Sequence, residues 1–265
     1  GAVIYPLDED YDNWTSEVLP QVQNDADFLI VHDYFVRNPN ENNISYGQMM
    51  ASVSEVSENA ASIRSMVSEY TSKPSDHFAL AFTEYNSNTG NREVAMANAL
   101  FIARVLLAQI QEGFDLSMIW NLQSGVATDG GSHGLLAKNS SYQPNGSPRP
   151  AYLACWLLQK YLGVSVEPLD VGISGMYGVE TVHANGTKGG VLVNTGSQAH
   201  TVTWDSPSSS SPYVHWDVLR ATHETSKLVM LNGISPASAE GGPVAPELML
   251  GRGTLQAGAV TFTVP

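Results

Sequence analysis

A chain of 265 residues with 43% hydrophobic content and 9% aromatics is long enough to bury one large core or two modest ones. Its 26 acidic against 12 basic residues leave a formal charge of −14, which excludes a phosphate-tracking surface and with it a nucleic-acid partner, since such binding needs clustered Lys and Arg. Cys155, the one cysteine, excludes an internal disulfide and a cysteine metal cluster, and the longest apolar stretch, Ala97 to Ile110, is interrupted by Asn98 and Arg104 and too short to cross a membrane.

The first part of the chain alternates short apolar runs with longer amphipathic ones. Ala2 to Tyr5 reads as a strand, and Asn13 to Val22 as a helix capped by Asp12 or Asn13. Asp27 to His32 is a near-continuous apolar run of the buried-strand type. Tyr46 to Tyr70 carries Met49, Met50, Val53, Val56, Ile63 and Val67 at mixed three and four spacing, which predicts one long helix. Phe78 to Thr83 is the next strand, Arg92 to Gln111 a strongly apolar helix ended by Gly113, and Leu116 to Trp120 a further strand. A loop rich in Gly, Ser, Asn and Pro, from Gly125 to Pro150, is too long for a mere connector and is expected to shape a site. The helix Ala151 to Tyr161, holding Cys155 as a small buried hydrophobe and ended by Gly163, completes four strand-and-helix units.

After about Val164 the texture changes. Short strands at Met176–Ala184, Gly190–Asn194, His200–Trp204, Tyr213–Leu219, Leu228–Leu231 and Ala259–Val264 stand between turn signals such as Asn185-Gly186 and Ser206 to Pro212. The expected fold is therefore α/β with a parallel, helix-covered sheet over residues 1–163, followed over residues 164–265 by an antiparallel β-sandwich domain.

Folds of the first kind place their chemistry at the carboxyl ends of the strands. Those ends carry Tyr5-Pro6, His32-Asp33-Tyr34, Glu84-Tyr85-Asn86 and Trp120-Asn121. Glu84 is the carboxylate that needs explanation: it follows a buried run, where an unpartnered charge is costly, whereas the Asp8 to Asp12 cluster can sit in water. It is either a functional carboxylate or one that caps a helix or pairs with Arg92. His32 and Tyr34 could bond sugar hydroxyls or hold a carboxylate, and Trp120 offers a flat apolar face to a sugar ring unless it is simply core. His133, flanked by glycine, either reaches the site or belongs only to its loop. Trp204 and Trp216 would form a second sugar-binding face if both pointed outward. The seven histidines show no metal-ligand spacing, the glycine-rich segments lack a phosphate-loop Lys, and Gly-x-Ser-x-Gly is absent, so no metal, no nucleotide cofactor and no serine-hydrolase elbow are expected.

Taken together, Asp27-Phe28-Leu29-Ile30-Val31-His32-Asp33-Tyr34, Phe82-Thr83-Glu84-Tyr85-Asn86 and Ile119-Trp120-Asn121 resemble strands six, seven and eight of clan A retaining glycoside hydrolases. The resemblance is to arabinofuranosidase, xylosidase, glucuronidase and agarase families, which are (β/α)8 TIM barrels with a trailing β-sandwich. It implies the second half of such a barrel, strands five to eight, with Glu84 as nucleophile and Tyr5, His32, Tyr34, Trp120 and Asn121 contacting carbohydrate. The same resemblance places the general acid/base on a Glu after an Asn at the end of strand four, and no Asn-Glu precedes Ala2 to Tyr5. Retention needs that second carboxyl about 5 Å from the nucleophile. A missing or separate N-terminal half of the same enzyme is therefore the expected partner, and plant or algal polysaccharide or oligosaccharide the expected substrate. Asp33 is the one local candidate to replace the missing acid.

The opening Gly-Ala-Val-Ile-Tyr-Pro, with neither starting Met nor signal peptide, is expected to result from trimming or from a cut in something larger. Sequons at Asn13, Asn43, Asn139, Asn145 and Asn185 fit a secreted or extracellular location. The alternative from a different class is a non-catalytic carbohydrate-binding or scaffold protein on a degenerate barrel, with Glu84 a relic and Trp120 a sugar platform.

Overall fold

The computed structural model describes residues 1–6, 13–36, 44–139, 143–205, 213–235, 251–254 and 259–265. The Asp8 to Asp12 cluster and the Ser206 to Pro212 turn lie outside the described residues. The chain forms two compact units, one of Gly1–Thr89 and Val105–Leu122, the other of Gly90–Arg104 and Gln123–Pro265.

The first unit runs β1 (Ala2–Val3), α1 (Trp14–Val22), β2 (Phe28–Asp33), α2 (Tyr46–Ala51), α3 (Glu55–Tyr70), β3 (Ala79–Tyr85), α4 (Met96–Gln111, within which the division between units falls) and β4 (Leu116–Ile119). The four strands are parallel and lie in chain order, as strand-helix alternation requires. Leu29, Val31 and Phe82 are fully buried, and Phe82 is the hub of an aromatic cluster, with ring centroids 5.7 Å from Phe35, 5.9 Å from Tyr85 and 5.1 Å from Phe114. Val3, Ile30, Ala81 and Leu116 stand in register across the sheet and therefore share a face. At its outer strands this face is open: Val3 is 40% exposed, Leu116 40% and Met118 49%.

The outward edge of β1 is served by its own helix. Ile4 donates inward to Ile30 (2.9 Å), so the polar groups of Val3 and Tyr5 point away from the sheet. The Trp14 indole donates to the Val3 carbonyl (2.9 Å), and the Thr15 hydroxyl both accepts from the Tyr5 N–H and donates to the Tyr5 carbonyl, each at 2.9 Å. This is one way a protein blunts a free strand edge.

Three local expectations change. The helix over Tyr46–Tyr70 is broken by a tighter turn at Ser52–Ser54, where the Ser52 hydroxyl bonds the Met49 carbonyl (3.0 Å) and competes with the helical ladder. Met49, Val53, Val56, Ile63 and Val67 nevertheless stay buried, because the apolar face continues through the break. α2 itself starts on a capping box between Ser45 and Gln48. Asn13 precedes α1 in the left-handed region (φ 63°) and its side chain caps nothing. Gly113 does end α4 with a positive φ of 76°, but Gly163 does different work: a side chain there would begin 2.2 Å from the Val182 carbonyl oxygen, so its glycine serves strand approach.

In the second unit β5 (Gln123–Ser124) and β6 (Leu136–Ala137) pair in parallel, and α5 (Pro150–Tyr161) follows. Next come β7 (Ser165–Leu169), β8 (Met176–Val182) and β9 (Lys188–Asn194), an antiparallel three-stranded sheet. β10 (His200–Asp205), β11 (Tyr213–Trp216), β12 (Leu219–Arg220), β13 (Met230–Leu231), β14 (Gly251–Thr254) and β15 (Ala259–Val264) form the antiparallel pairs β10–β15, β11–β14 and β12–β13. The expected strand Tyr213–Leu219 is interrupted at Asp217, whose carboxylate takes Lys160 (2.5 Å), the Tyr161 hydroxyl (2.5 Å) and the Asn232 amide (2.7 Å). Met96, Ala99, Leu153, Ala154, Val229 and Leu231 form a core cluster. The loop from Gly125 to Pro150 is pinned by Arg149, fully buried, which donates to Ser132 Oγ (2.5 Å) and to the carbonyls of Gly134 (2.7 Å) and Ser124 (3.2 Å).

Candidate active site

Parallel strands in chain order bring their carboxyl ends to one rim. Tyr5 follows β1, Tyr34 follows β2 with His32 in its last turn of backbone, Glu84 lies near the end of β3, and Trp120 and Asn121 follow β4. The strand carrying Glu84 reaches Tyr85, two residues beyond the sequence expectation, so the carboxylate belongs to the sheet itself.

Glu84 is held from the neighbouring strand. The Tyr34 hydroxyl donates to Oε1 in a short hydrogen bond, and Nδ1 of His32 stands 3.9 Å from Oε2. The other imidazole nitrogen, Nε2, is 2.8 Å from Thr83 Oγ1. The Glu84 side chain is 25% exposed and that of His32 41%, so the carboxylate is partly withdrawn from water yet reachable. One bonded and one available oxygen suit either nucleophilic attack or the binding of a hydroxyl-rich ligand.

Tyr34 is aimed by its neighbours. Asp33 is buried and accepts from the Phe35 N–H (2.9 Å) through Oδ1 and from the Asn59 amide (2.8 Å) through Oδ2. These bonds hold Phe35 in the left-handed region (φ 58°), with its ring stacked on Phe82. Both Asp33 oxygens are engaged, so its carboxylate is tied into this turn and to α3.

On the far side of Glu84, Trp120 is 47% exposed and its backbone is fixed at both ends. Its N–H donates to the Tyr85 carbonyl (3.0 Å), and its carbonyl accepts from the amide of fully buried Asn86 (2.6 Å). The Trp120–Asn121 peptide is cis, and Asn121 Oδ1 is buried with no hydrogen-bond partner among the described residues. Tyr34, His32 and Glu84 are thus joined directly, while Tyr5, Trp120 and Asn121 are placed at the same end of the same sheet.

Thr83, Asn86 and Asn59 carry this arrangement although strand patterning gave them no role. Their work depends on which atoms face each other across strands, and no spacing in the chain encodes that. Two other expectations resolve elsewhere. His133 pairs with Glu93 (3.6 Å) of the turn Gly90–Val94, and Glu93 Oε1 also accepts from the Gly90 N–H (3.2 Å), so the imidazole ties its loop to that turn. The Trp204 ring lies over β9, so close that a side chain on Gly190 would begin 2.1 Å from it, which removes Trp204 as an outward platform beside Trp216.

No protein-family model matches the chain, and no curated protein matches it. Solved structures match it in fold. A 4-O-α-L-rhamnosyl-β-D-glucuronidase from Fusarium oxysporum 12S is similar over 89% of this chain and 51% of its own, with a TM-score of 0.61 at 16% identity. A family 51 α-L-arabinofuranosidase from Thermotoga petrophila RKU-1 is similar over 99% and 55%, with a TM-score of 0.68 at 13% identity. A family 44 xyloglucanase from Paenibacillus polymyxa is similar over 98% and 50%, with a TM-score of 0.58 at 15% identity. The chain spans about half the length of the structures it matches. At the level of fold, the resemblance to the C-terminal part of a clan A glycoside hydrolase holds.

Proposed function

We propose that this chain, with the fold of part of these glycoside hydrolases, supplies the nucleophile side of a retaining glycosidase acting on plant or algal polysaccharide or oligosaccharide. The observation that carries the reading is the pair Tyr34–Glu84. A tyrosine hydroxyl bonded to one carboxylate oxygen leaves the other, Oε2, to attack an anomeric carbon. Trp120, 47% exposed, supports the sugar ring, and Asn121 and Tyr5 contact its hydroxyls. Residues 1–163 act as strands five to eight of a (β/α)8 barrel and residues 164–265 as a trailing β-sandwich domain.

A Glu from an N-terminal half, on a separate or cleaved chain, protonates the leaving oxygen and then activates the water that releases the glycosyl-enzyme. The outer strands of the sheet, β1 with exposed Val3 and β4 with exposed Leu116 and Met118, leave room for such a partner at either edge. On the β1 side that partner has to displace Trp14 and Thr15 from the strand edge.

The test is a mechanism-based label. A 2-deoxy-2-fluoroglycosyl fluoride, incubated with this chain and its N-terminal half, is expected to esterify the peptide that carries Glu84 and no other, and to leave Glu84→Gln unlabelled. Hydrolysis without that adduct, or an adduct on another carboxylate, sinks the assignment. Sugar binding by the assembled protein with no turnover favours the carbohydrate-binding alternative.

A further inference from the structure

We infer that Thr83 is a positioning residue, whose hydroxyl donates to Nε2 of His32 and fixes the imidazole as the neutral tautomer that presents an Nδ1 proton to Glu84. Its catalytic meaning rests on the reading of Glu84 as nucleophile. The positioning itself rests on geometry.

Consecutive residues of a regular strand point to opposite faces, so Thr83 and Glu84 could not both meet one side chain on β2. Between β2 and β3 the register advances regularly from Phe28↔Ala79 to Val31↔Phe82 and then slips, so that His32 stands opposite Glu84. The pairing of β3 with β4 is irregular over the same stretch, between Phe82 and Tyr85. Thr83 is therefore the extra residue of a bulge, the kind of irregularity that re-aims side chains. It brings two successive side chains onto one imidazole: Thr83 Oγ1 lies 2.8 Å from Nε2, and Glu84 Oε2 lies 3.9 Å from Nδ1.

The carboxylate decides which way the proton sits. An oxygen of Glu84 facing Nδ1 attracts an N–H there and repels a lone pair. With the proton on Nδ1, Nε2 carries the lone pair and can only accept, and Thr83 has a hydroxyl to give. Tyr34 then donates to Oε1, while the His32 N–H faces Oε2 from beyond hydrogen-bond length, which orients that oxygen without occupying it.

The experiment is nitrogen-15 NMR of the histidine side chains of this chain at neutral pH, with His32 assigned by loss of its signals in His32→Gln. Expected is a protonated Nδ1 and an unprotonated Nε2 in the wild type and in Thr83→Ser. In Thr83→Val, the tautomer balance of His32 should shift toward Nε2–H by about fivefold, the worth of one ordinary hydrogen bond. The other six histidines serve as the control that Thr83→Val is folded. A wild-type His32 found as the Nε2–H tautomer or as imidazolium overturns the inference, as does a Thr83→Val variant with the wild-type signature. In the assembled enzyme Thr83→Val should lower kcat about fivefold at unchanged KM, with recovery in Thr83→Ser. Because the NMR signature needs no turnover, the two readings fail separately. The expected tautomer beside a label that avoids Glu84 removes the nucleophile and keeps the positioning, and the reverse result does the opposite.

Discussion

Glu84 and Tyr34 make the site a matter of two oxygens. A hydrogen bond to a charged group is worth about 1.5–3 kcal/mol, so under the proposed function Tyr34→Phe should reduce kcat of the enzyme assembled with its N-terminal half roughly 10- to 100-fold with a smaller effect on KM, read by steady-state kinetics on an aryl glycoside. If Glu84 is the nucleophile, as proposed, Glu84→Gln should reduce it by at least about a thousandfold, because the covalent step would be lost. A different residue tests the packing rather than the chemistry. Burial pushes the Cys155 thiol up to about 12, so at neutral pH it carries almost no thiolate. Native chain should therefore resist iodoacetamide and react only after denaturation, as mass spectrometry of the Cys155 peptide would record.

At the scale of elements, two buried carboxylates hold turns in place. Asp33 joins the end of β2 to Asn59 of α3 and to the Phe35 backbone. Asp33→Ala removes the acceptor of both bonds and should cost about 2–3 kcal/mol in denaturant unfolding, with Tyr34 released from Glu84. In the second unit Asp217 is drawn on by burial, which alone would raise its pKa, but Lys160, Tyr161 and Asn232 outweigh this and hold it below the ordinary carboxylate range. A lowered folded pKa means stability that is present at neutral pH and lost as the pH falls through that value. Acid should thus loosen the Asp217 junction only below about pH 4, and Asp217→Asn should flatten that part of the stability profile. The elements themselves were largely legible: β1 to β4, α1 and α4 lie within a few residues of the apolar runs that announced them. The break at Ser52–Ser54 and the strands at Ser165–Leu169 and Gly251–Thr254 were not, because a local serine bond and strands rich in Gly, Pro or charge leave no periodic pattern.

For the whole molecule, the question is whether a partner covers the sheet. Its outer strands are β1 and β4 among the described residues, and the apolar side chains on them are exposed. If an N-terminal half covers that face, Met118→Lys should weaken its association by at least tenfold in analytical ultracentrifugation while leaving the circular dichroism of this chain unchanged. Equal association by wild type and variant would remove the face as the contact.

The sequence by itself determined the alternation of strand and helix, the change to antiparallel strands after the last long helix, and the candidates at four strand ends. Apolar periodicity and turn residues are local properties, and a parallel sheet in chain order converts them directly into a common rim. Only the tertiary structure decided which candidates touch. The bulge at Thr83, the turn that Asp33 imposes on Phe35 and the hold of Asn86 on Trp120 all depend on register between strands, which is set by packing across the sheet rather than by the order of residues along it.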